Sequence, residues 1–181
     1  VCFPKGGDHV GQEGARVRKT MWDERYAFNA SNVADFPLHA ARPLAEARCL
    51  DGWAQEHTAA LPAALLADPI SDLHGKLAAA NQRAQELRGH MIAGQEELDW
   101  ACYAHYGLLP KGVSPESLRH PDPAPLALGE RAFEIVLARR MAAGQEQSTW
   151  FERHGSTPIT TLPAHWPADY RTVVERRIAL I

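Results

Sequence analysis

Residues 72–107 read DLHGKLAAANQRAQELRGHMIAGQEELDWACYAHYG, and the spacing of their apolar side chains decides the fold. Leu73, Leu77, Ala80, Ala84, Leu87 and Met91 recur at alternating four and three residues, and the stripe continues through Gly94, Leu98 and Ala101. A helix places such positions on one face. Ser71 or Asp72 offers the short polar side chain that accepts the first free amides of a helix, and Gly107 offers the stop. The expected helix runs from about 72 to 106, bends near Gly94 if anywhere, and at 1.5 Å per residue is roughly 50 Å long. An alanine-rich stripe fits tight packing within one chain, and the competing reading is the seam of a coiled-coil dimer.

Outward from this helix the text changes character on both sides. Upstream, Pro43 stands where a first helical residue would, and Leu44, Ala47, Cys49, Leu50, Trp53, Ala54 and His57 keep helical spacing until Pro62. The long helix is expected to lie lengthwise against this 43–61 helix, as a hairpin or spacer covering 42–107. Residues 1–41 are mixed: a glycine-rich, charged opening, then Tyr26, Phe28, Val33 and Phe36 as short extended pieces with turns at Asn29 to Asn32. They read as the tail of a preceding β-containing domain. Downstream, LLPKGVSPESLRHPDPAP holds five prolines and reads as a surface loop over 108–127.

The block 128–181 is expected to be a small helical bundle. One helix starts near Leu128-Gly129-Glu130 and runs to Gly144, with Phe133, Val136, Leu137 and Met141 on its apolar face and Glu130, Glu134, Arg139 and Arg140 on the others. Ser148 caps a short helix through Trp150 to Glu152 that ends at Gly155, and STPITTLPAHWP is extended or turn-like. Pro167 opens a last helix with Val173, Val174, Ile178 and Ile181 at helical spacing. The fold class is therefore mainly α, with a short irregular or β segment at the N-terminus.

Composition narrows the function classes. A chain of 181 residues, 45% hydrophobic and 23% charged, can bury a core without disulfides or metals. Its three cysteines, Cys2, Cys49 and Cys102, are odd in number and far apart, so neither a disulfide framework nor a zinc cluster is signalled, and a reducing, cytoplasmic setting is expected. No apolar run approaches the roughly 20 residues that a bilayer span requires, and the opening VCFPKGGDHV is not a basic region followed by an apolar one, so neither a membrane span nor export is expected. The chain opens at Val1 and closes at Ile181 within a helical pattern, which reads as a fragment. A net charge of -3 gives no overall basic footprint, so any DNA contact must come from a local cluster.

Catalytic and cofactor machinery is not legible in these residues. The cluster Gly6, Gly7, Gly11 and Gly14 follows no apolar strand and precedes no apolar helix, unlike a glycine turn that holds a nucleotide. The nine histidines are scattered, and no metal site is expected. Cys102 and His105 lie one helical turn apart, as a nucleophile and its base would, but a cysteine beside the Ala101 stripe is better read as apolar filler. Trp100, Tyr103 and Tyr106 read as the packing end of the long helix. Arg153, His154, Ser156 and Thr157 surround a glycine turn and carry donors suited to phosphate oxygens, with Trp150 and Phe151 as anchors. The same hydroxyls could instead serve the local backbone of a structural turn. Arg139-Arg140 and Arg176-Arg177 read as solvated helix faces unless they flank that turn.

The run LGERAFEIVLARRMAAGQEQSTWFERHGSTPITTLPAHWPADYRTVVERRIALI, with QEELDWACYAHYGL upstream, resembles the region after the methyltransferase domain in PglX-type adenine-specific DNA methyltransferases of bacteriophage-exclusion and phage-growth-limitation systems. SNVADFPLHAARPL is similar to the segment leaving the target-recognition region in those proteins and in related single-chain restriction-modification enzymes. The resemblance implies methylation of adenine N6 by a preceding domain that uses S-adenosylmethionine. It supplies no catalytic residue here, because neither the glycine-rich cofactor motif nor an N-P-P-Y-type motif occurs in the chain. This segment would then be a non-catalytic spacer and module, without cofactor, that positions target DNA through Arg139, Arg140, Arg153, His154, Ser156 and Thr157. The alternative is a scaffold that docks other phage-defence proteins without touching DNA.

Overall fold

The computed structural model describes residues 3–5, 25–27, 34–35, 37–65 and 72–181, and the chain divides into Val1–Ala40 and Ala41–Ile181. In the first unit, β1 (Phe3–Lys5) and β2 (Arg25–Ala27) form an antiparallel pair with Phe3 opposite Ala27 and Lys5 opposite Arg25. Tyr26 falls in β2. The extended pieces expected at Phe28, Val33 and Phe36, and the turn at Asn29 to Asn32, lie outside the described residues.

The second unit is helical. Its elements are α1 (Leu44–Ala59), α2 (Pro62–Leu65), α3 (Leu73–His105), a 3₁₀ turn (Pro115–Leu118), α4 (Ala132–Ala142), α5 (Trp150–His154) and α6 (Ala168–Leu180). The chain is mainly α among its described residues, as its periodicity indicates. Helix α3 is continuous over 33 residues, and Asp72 Oδ1 accepts the Gly75 amide at 3.1 Å, so the cap read from sequence is formed. Helix α1 lies against α3 within the same chain. A Cβ at Gly94 would stand 2.6 Å from the Trp53 ring; the glycine lets the two helices approach and does not break α3. Trp53 also meets the His90 ring, with centroids 5.5 Å apart.

The two halves of α3 differ in burial. Leu73 is 44% exposed and Leu77, Ala80 and Ala84 are half-buried, whereas Leu87 is 1% exposed. From Ala93 onward the buried positions are Ala93, Glu96, Glu97, Trp100 and Ala101, the i, i+3, i+4, i+7, i+8 series of one helical face. This face belongs to the C-terminal core, which joins Ala93 to Leu126, Ala132, Ile135, Trp166, Tyr170 and Val174. The end of α3 is less enclosed than its aromatic run suggests, since Trp100 is buried but Tyr103 and Tyr106 are each 40% exposed.

Several expectations are corrected by how the charged side chains are paired. Arg177, expected on a solvated face, is 0% exposed. Tyr170, Val173, Val174 and Arg177 form one face of α6, so the arginine sits among core positions. Its Nη2 donates to Glu97 Oε1 at 2.5 Å and its Nε to the Leu118 carbonyl at 2.8 Å. Its guanidinium stands 5.6 Å from the Trp100 ring centroid. Glu97 Oε2 accepts the His120 amide at 3.0 Å. This pairing ties α3, α6 and the proline-rich segment together. The segment is accordingly more than a surface loop: Leu118 is 1% and Leu126 3% exposed.

Glu134 is likewise buried and not on a solvated face, while Phe133, Leu137 and Met141 are only half-buried. The inward residues of α4 are Ala132, Glu134, Ile135, Val136 and Ala138. The cause lies at the start of the helix, where backbone amides have no partner of their own. Glu134 Oε2 reaches back to the amides of Gly129 at 3.0 Å and Arg131 at 3.1 Å. Glu96 of α3 supplies a second carboxylate, accepting the Ala132 amide at 3.2 Å and Arg131 Nε at 2.9 Å. Negative charge at a helix N-terminus is favoured, so the buried carboxylates find amide and guanidinium donors together. Burial lowers the Arg131 pKa, but the bonds to Glu96 and Asp99 outweigh it and hold the group above its ordinary value.

Candidate functional site

The turn singled out by sequence is built on this frame. After α4, Ser148 Oγ accepts the Trp150 amide at 3.1 Å and α5 begins. Trp150 is anchored twice: its Nε1–H donates to Glu134 Oε1 at 3.0 Å, and its ring meets Phe133 edge-on at 5.3 Å. His154 stacks on Trp150 at 4.0 Å between ring centroids, and Nδ1–H donates to the Trp150 carbonyl at 2.8 Å. Gly155 closes the helix at φ 59°, and the Ser156 amide donates to the Phe151 carbonyl at 2.9 Å, an arrangement a left-handed residue makes possible. The next residues lie against Gly129, where φ is 95° and a Cβ would stand 2.5 Å from the Thr157 carbonyl oxygen. The turn is held by backbone and packing from three sides.

The six expected site residues have different fates. Arg153, His154 and Thr157 are exposed. No hydrogen bond or ion pair engages the Arg153 guanidinium among the described residues. Ser156 Oγ is shielded from solvent without a partner among the described residues. Arg139 is brought to the segment beyond the turn, its Nε donating to the Thr160 carbonyl at 2.8 Å. Arg140 goes elsewhere, donating to the Ile181 carbonyl at 3.2 Å and facing Glu146 at 4.0 Å. The structure thus collects Arg139 with the turn and separates Arg140 from it.

Two open grooves border the turn. One, of about 730 Å³, lies between α1, α3 and the C-terminal elements, and its walls include Leu50, Met91, Ile92, Leu128, Trp150 and His154. The second, of about 670 Å³, carries Ser156 and Thr157 on one side and Gln85, Arg88 and His165 on others. Arg88 and His165 are not legible in the sequence as site residues, because they stand 65 or more and eight or more positions from the turn and only folding brings them to one groove. Other chemistry finds little support. The Cys102 thiol is pushed up by burial and by the nearby carboxylates of Asp99 and Glu46, whereas a nucleophile needs the opposite shift. Among the described residues no group of three His, Cys, Asp or Glu could hold a metal ion, and no helix is long and apolar enough to cross a membrane.

Residues 91–181 match the family described as "Domain of unknown function (DUF7008)". The chain belongs to the DUF7008 family. The matched span starts in α3 just before its buried carboxylates and includes every residue of the turn. Over 185 aligned residues the DUF7008 chain is 47% identical to the adenine-specific methyltransferase PglX of Streptomyces coelicolor, strain A3(2). The alignment covers 100% of this chain and 15% of that protein, so the chain spans a small part of the relative's length. The resemblance to PglX-type proteins is thereby established by identity along the whole chain. No solved structure matches it.

Proposed function

We propose that this DUF7008 chain is a non-catalytic helical part of an adenine-specific DNA methyltransferase of phage defence, and that it steadies target DNA through phosphate contacts. The observation that carries the reading is the 47% identity to the methyltransferase over the full chain. The rigid turn adds a physical rationale: Arg153 and His154 are exposed on it and Arg139 is drawn to its continuation, which suits contacts to phosphate oxygens. Methyl transfer from S-adenosylmethionine would belong to another part of such an enzyme, and a cytoplasmic location follows from action on bacterial DNA. Calorimetry on the 181-residue chain with S-adenosylmethionine is expected to show no binding; a one-to-one isotherm in the micromolar range overturns the non-catalytic assignment.

The DNA contact is tested in the full-length protein by changing Arg139, Arg140 and Arg153 together to alanine. Affinity for duplex DNA is expected to fall about equally on all sequences, and the salt dependence should flatten by about 0.9 for each phosphate that is no longer neutralised. The melting temperature should hardly move, since all three side chains are exposed. An unaltered salt slope overturns phosphate contact. A second reading, a scaffold that docks other phage-defence proteins, is favoured by the apolar groove of about 730 Å³ with Leu50, Met91 and Trp150 in its walls. That reading gains if the triple variant keeps its DNA affinity.

A further inference from the structure

The proposed DNA contact rests on residues of α4, α5 and the turn that follows, and the fold brings a cation from α3 to the same place. Arg88 lies on α3, on the rim of both grooves: it shares one with His154 and the other with Thr157 and His165. It is exposed, and among the described residues no hydrogen bond or ion pair occupies its guanidinium. The contrast with other α3 charges is informative. Arg83 is paired with Glu56 at 2.6 Å, and Glu96 and Glu97 are consumed by buried bonds. Gln85, one turn before Arg88, and His165, across the groove, are exposed as well. Among the described residues the carboxylate lining this groove is that of Glu130, which already accepts the Ala127 amide at 2.7 Å. An unpaired guanidinium beside further hydrogen-bond donors, with the facing carboxylate engaged, is suited to an anionic oxygen.

We propose that the groove between α3 and residues 155–165 is a phosphodiester-binding site, in which Arg88 supplies the charge and Thr157, His165 and Gln85 supply hydrogen-bond donors. The proposal rests on the reading that this chain contacts DNA. It extends the contact surface from the turn onto α3, and it assigns the central charge to a residue outside the turn. The buried Ser156 hydroxyl takes no part, because no solvent reaches it. The ligand assigned is the backbone, because phosphate oxygens accept from guanidinium, hydroxyl, imidazole and amide donors alike. Arg and Gln can also pair with base edges, and binding to two unrelated sequences separates the two.

The test measures binding of the full-length protein to two 30-base-pair duplexes of unrelated sequence, by fluorescence anisotropy across a salt series. It compares the unaltered protein with Arg88→Ala, Arg88→Lys and the Arg139, Arg140 and Arg153 triple alanine variant. For Arg88→Ala the site requires a several-fold weaker affinity on both duplexes, a salt slope lowered by about 0.9, and an unchanged melting temperature. Arg88→Lys, which keeps the charge, should retain the slope. If Arg88→Ala keeps the original slope while the triple variant loses part of it, the groove site is wrong and the DNA reading survives. If neither variant changes the slope, both fall. A loss confined to one duplex overturns the phosphate assignment, because it would indicate base contact.

Discussion

At the scale of single residues the decisive group is Arg177. A buried arginine is costly unless its charge is met, and here Glu97 accepts from Nη2 at 2.5 Å and the Leu118 carbonyl from Nε at 2.8 Å, while Nη1 faces Glu96 at 3.7 Å without a hydrogen bond among the described residues. Removing one partner leaves the other charge stranded, so Arg177→Met is expected to lower stability by about 3 to 5 kcal/mol in chemical denaturation. Adding Glu97→Gln should return part of that loss, because the stranded charge is then gone; a double variant weaker than the single would disprove the pairing. Polarity alone misplaces this residue for a definable reason. Hydrophobicity assigns charged residues to solvent, yet the positions 170, 173, 174 and 177 are spaced as one helical face, and so are 93, 96, 97, 100 and 101. An arginine on one such face and two glutamates on the other are a legible signal once position is weighed above polarity. Glu46 supplies a pH-dependent counterpart. Its own backbone amide, working against the cost of burial, and Arg119 after it hold the carboxyl below the ordinary 4.5. A depressed folded value means that the stability it contributes is full above pH 4.5 and is lost as pH falls through the folded value. Glu46→Gln should therefore flatten the acid limb of a stability profile below pH 4.5 and leave the neutral region's slope unchanged.

At the scale of elements, helix ends are easier to read than helix faces. Asp72 and Gly155 act through local backbone geometry, which a few neighbouring residues determine. Faces depend on what arrives from elsewhere. The stripe from Leu73 to Met91 is periodic throughout, but only its C-terminal part meets the C-terminal core, while the N-terminal part has α1 and α2 beside it and remains half open. Two leucines on one stripe should therefore differ. Leu87→Ala is expected to cost about 2 to 5 kcal/mol, the range for a fully buried leucine. Leu77→Ala, at a half-buried position, should cost about 1 kcal/mol in proportion to the apolar area it hides. Urea denaturation of both variants checks this, and equal losses would show that the stripe is uniformly buried. The same logic explains the turn at 153–157: its existence follows from Ser148 and Gly155, but its link to Arg88 cannot be read from spacing, since that link is made by α3 lying against the 125–130 segment. The Leu126 amide donating to the Gly89 carbonyl at 3.1 Å is the visible joint.

At the scale of the molecule, α3 is one continuous helix with two kinds of surroundings, and this has a dynamic consequence. Amide exchange reports the free energy of the opening that exposes each bond, and that energy follows the burial and tertiary contacts around it. From Leu73 to Glu86 every described side chain is exposed or half-buried, and the visible polar tie to α1 is the Arg83–Glu56 pair, whose side chains are 51% and 56% exposed. Such a pair contributes little in water. From Leu87 to Ala101 the helix carries Leu87, Ala93, Glu96, Glu97, Trp100 and Ala101 into the interior, and its carboxylates are bonded to α4, α6 and the proline-rich segment. Hydrogen exchange at neutral pH should consequently show a step within a single helix: amides before residue 87 should exchange through local fraying, and those from about 90 to 101 only with global unfolding. Arg177→Met sharpens the experiment. It should collapse protection in the 90–101 segment and in α6 together while leaving the 73–86 amides as they were, because those never depended on the buried charges. Uniform protection from 73 to 105, or loss confined to α6 in the variant, would mean that α3 is stabilised along its whole length by α1 and not by the C-terminal core.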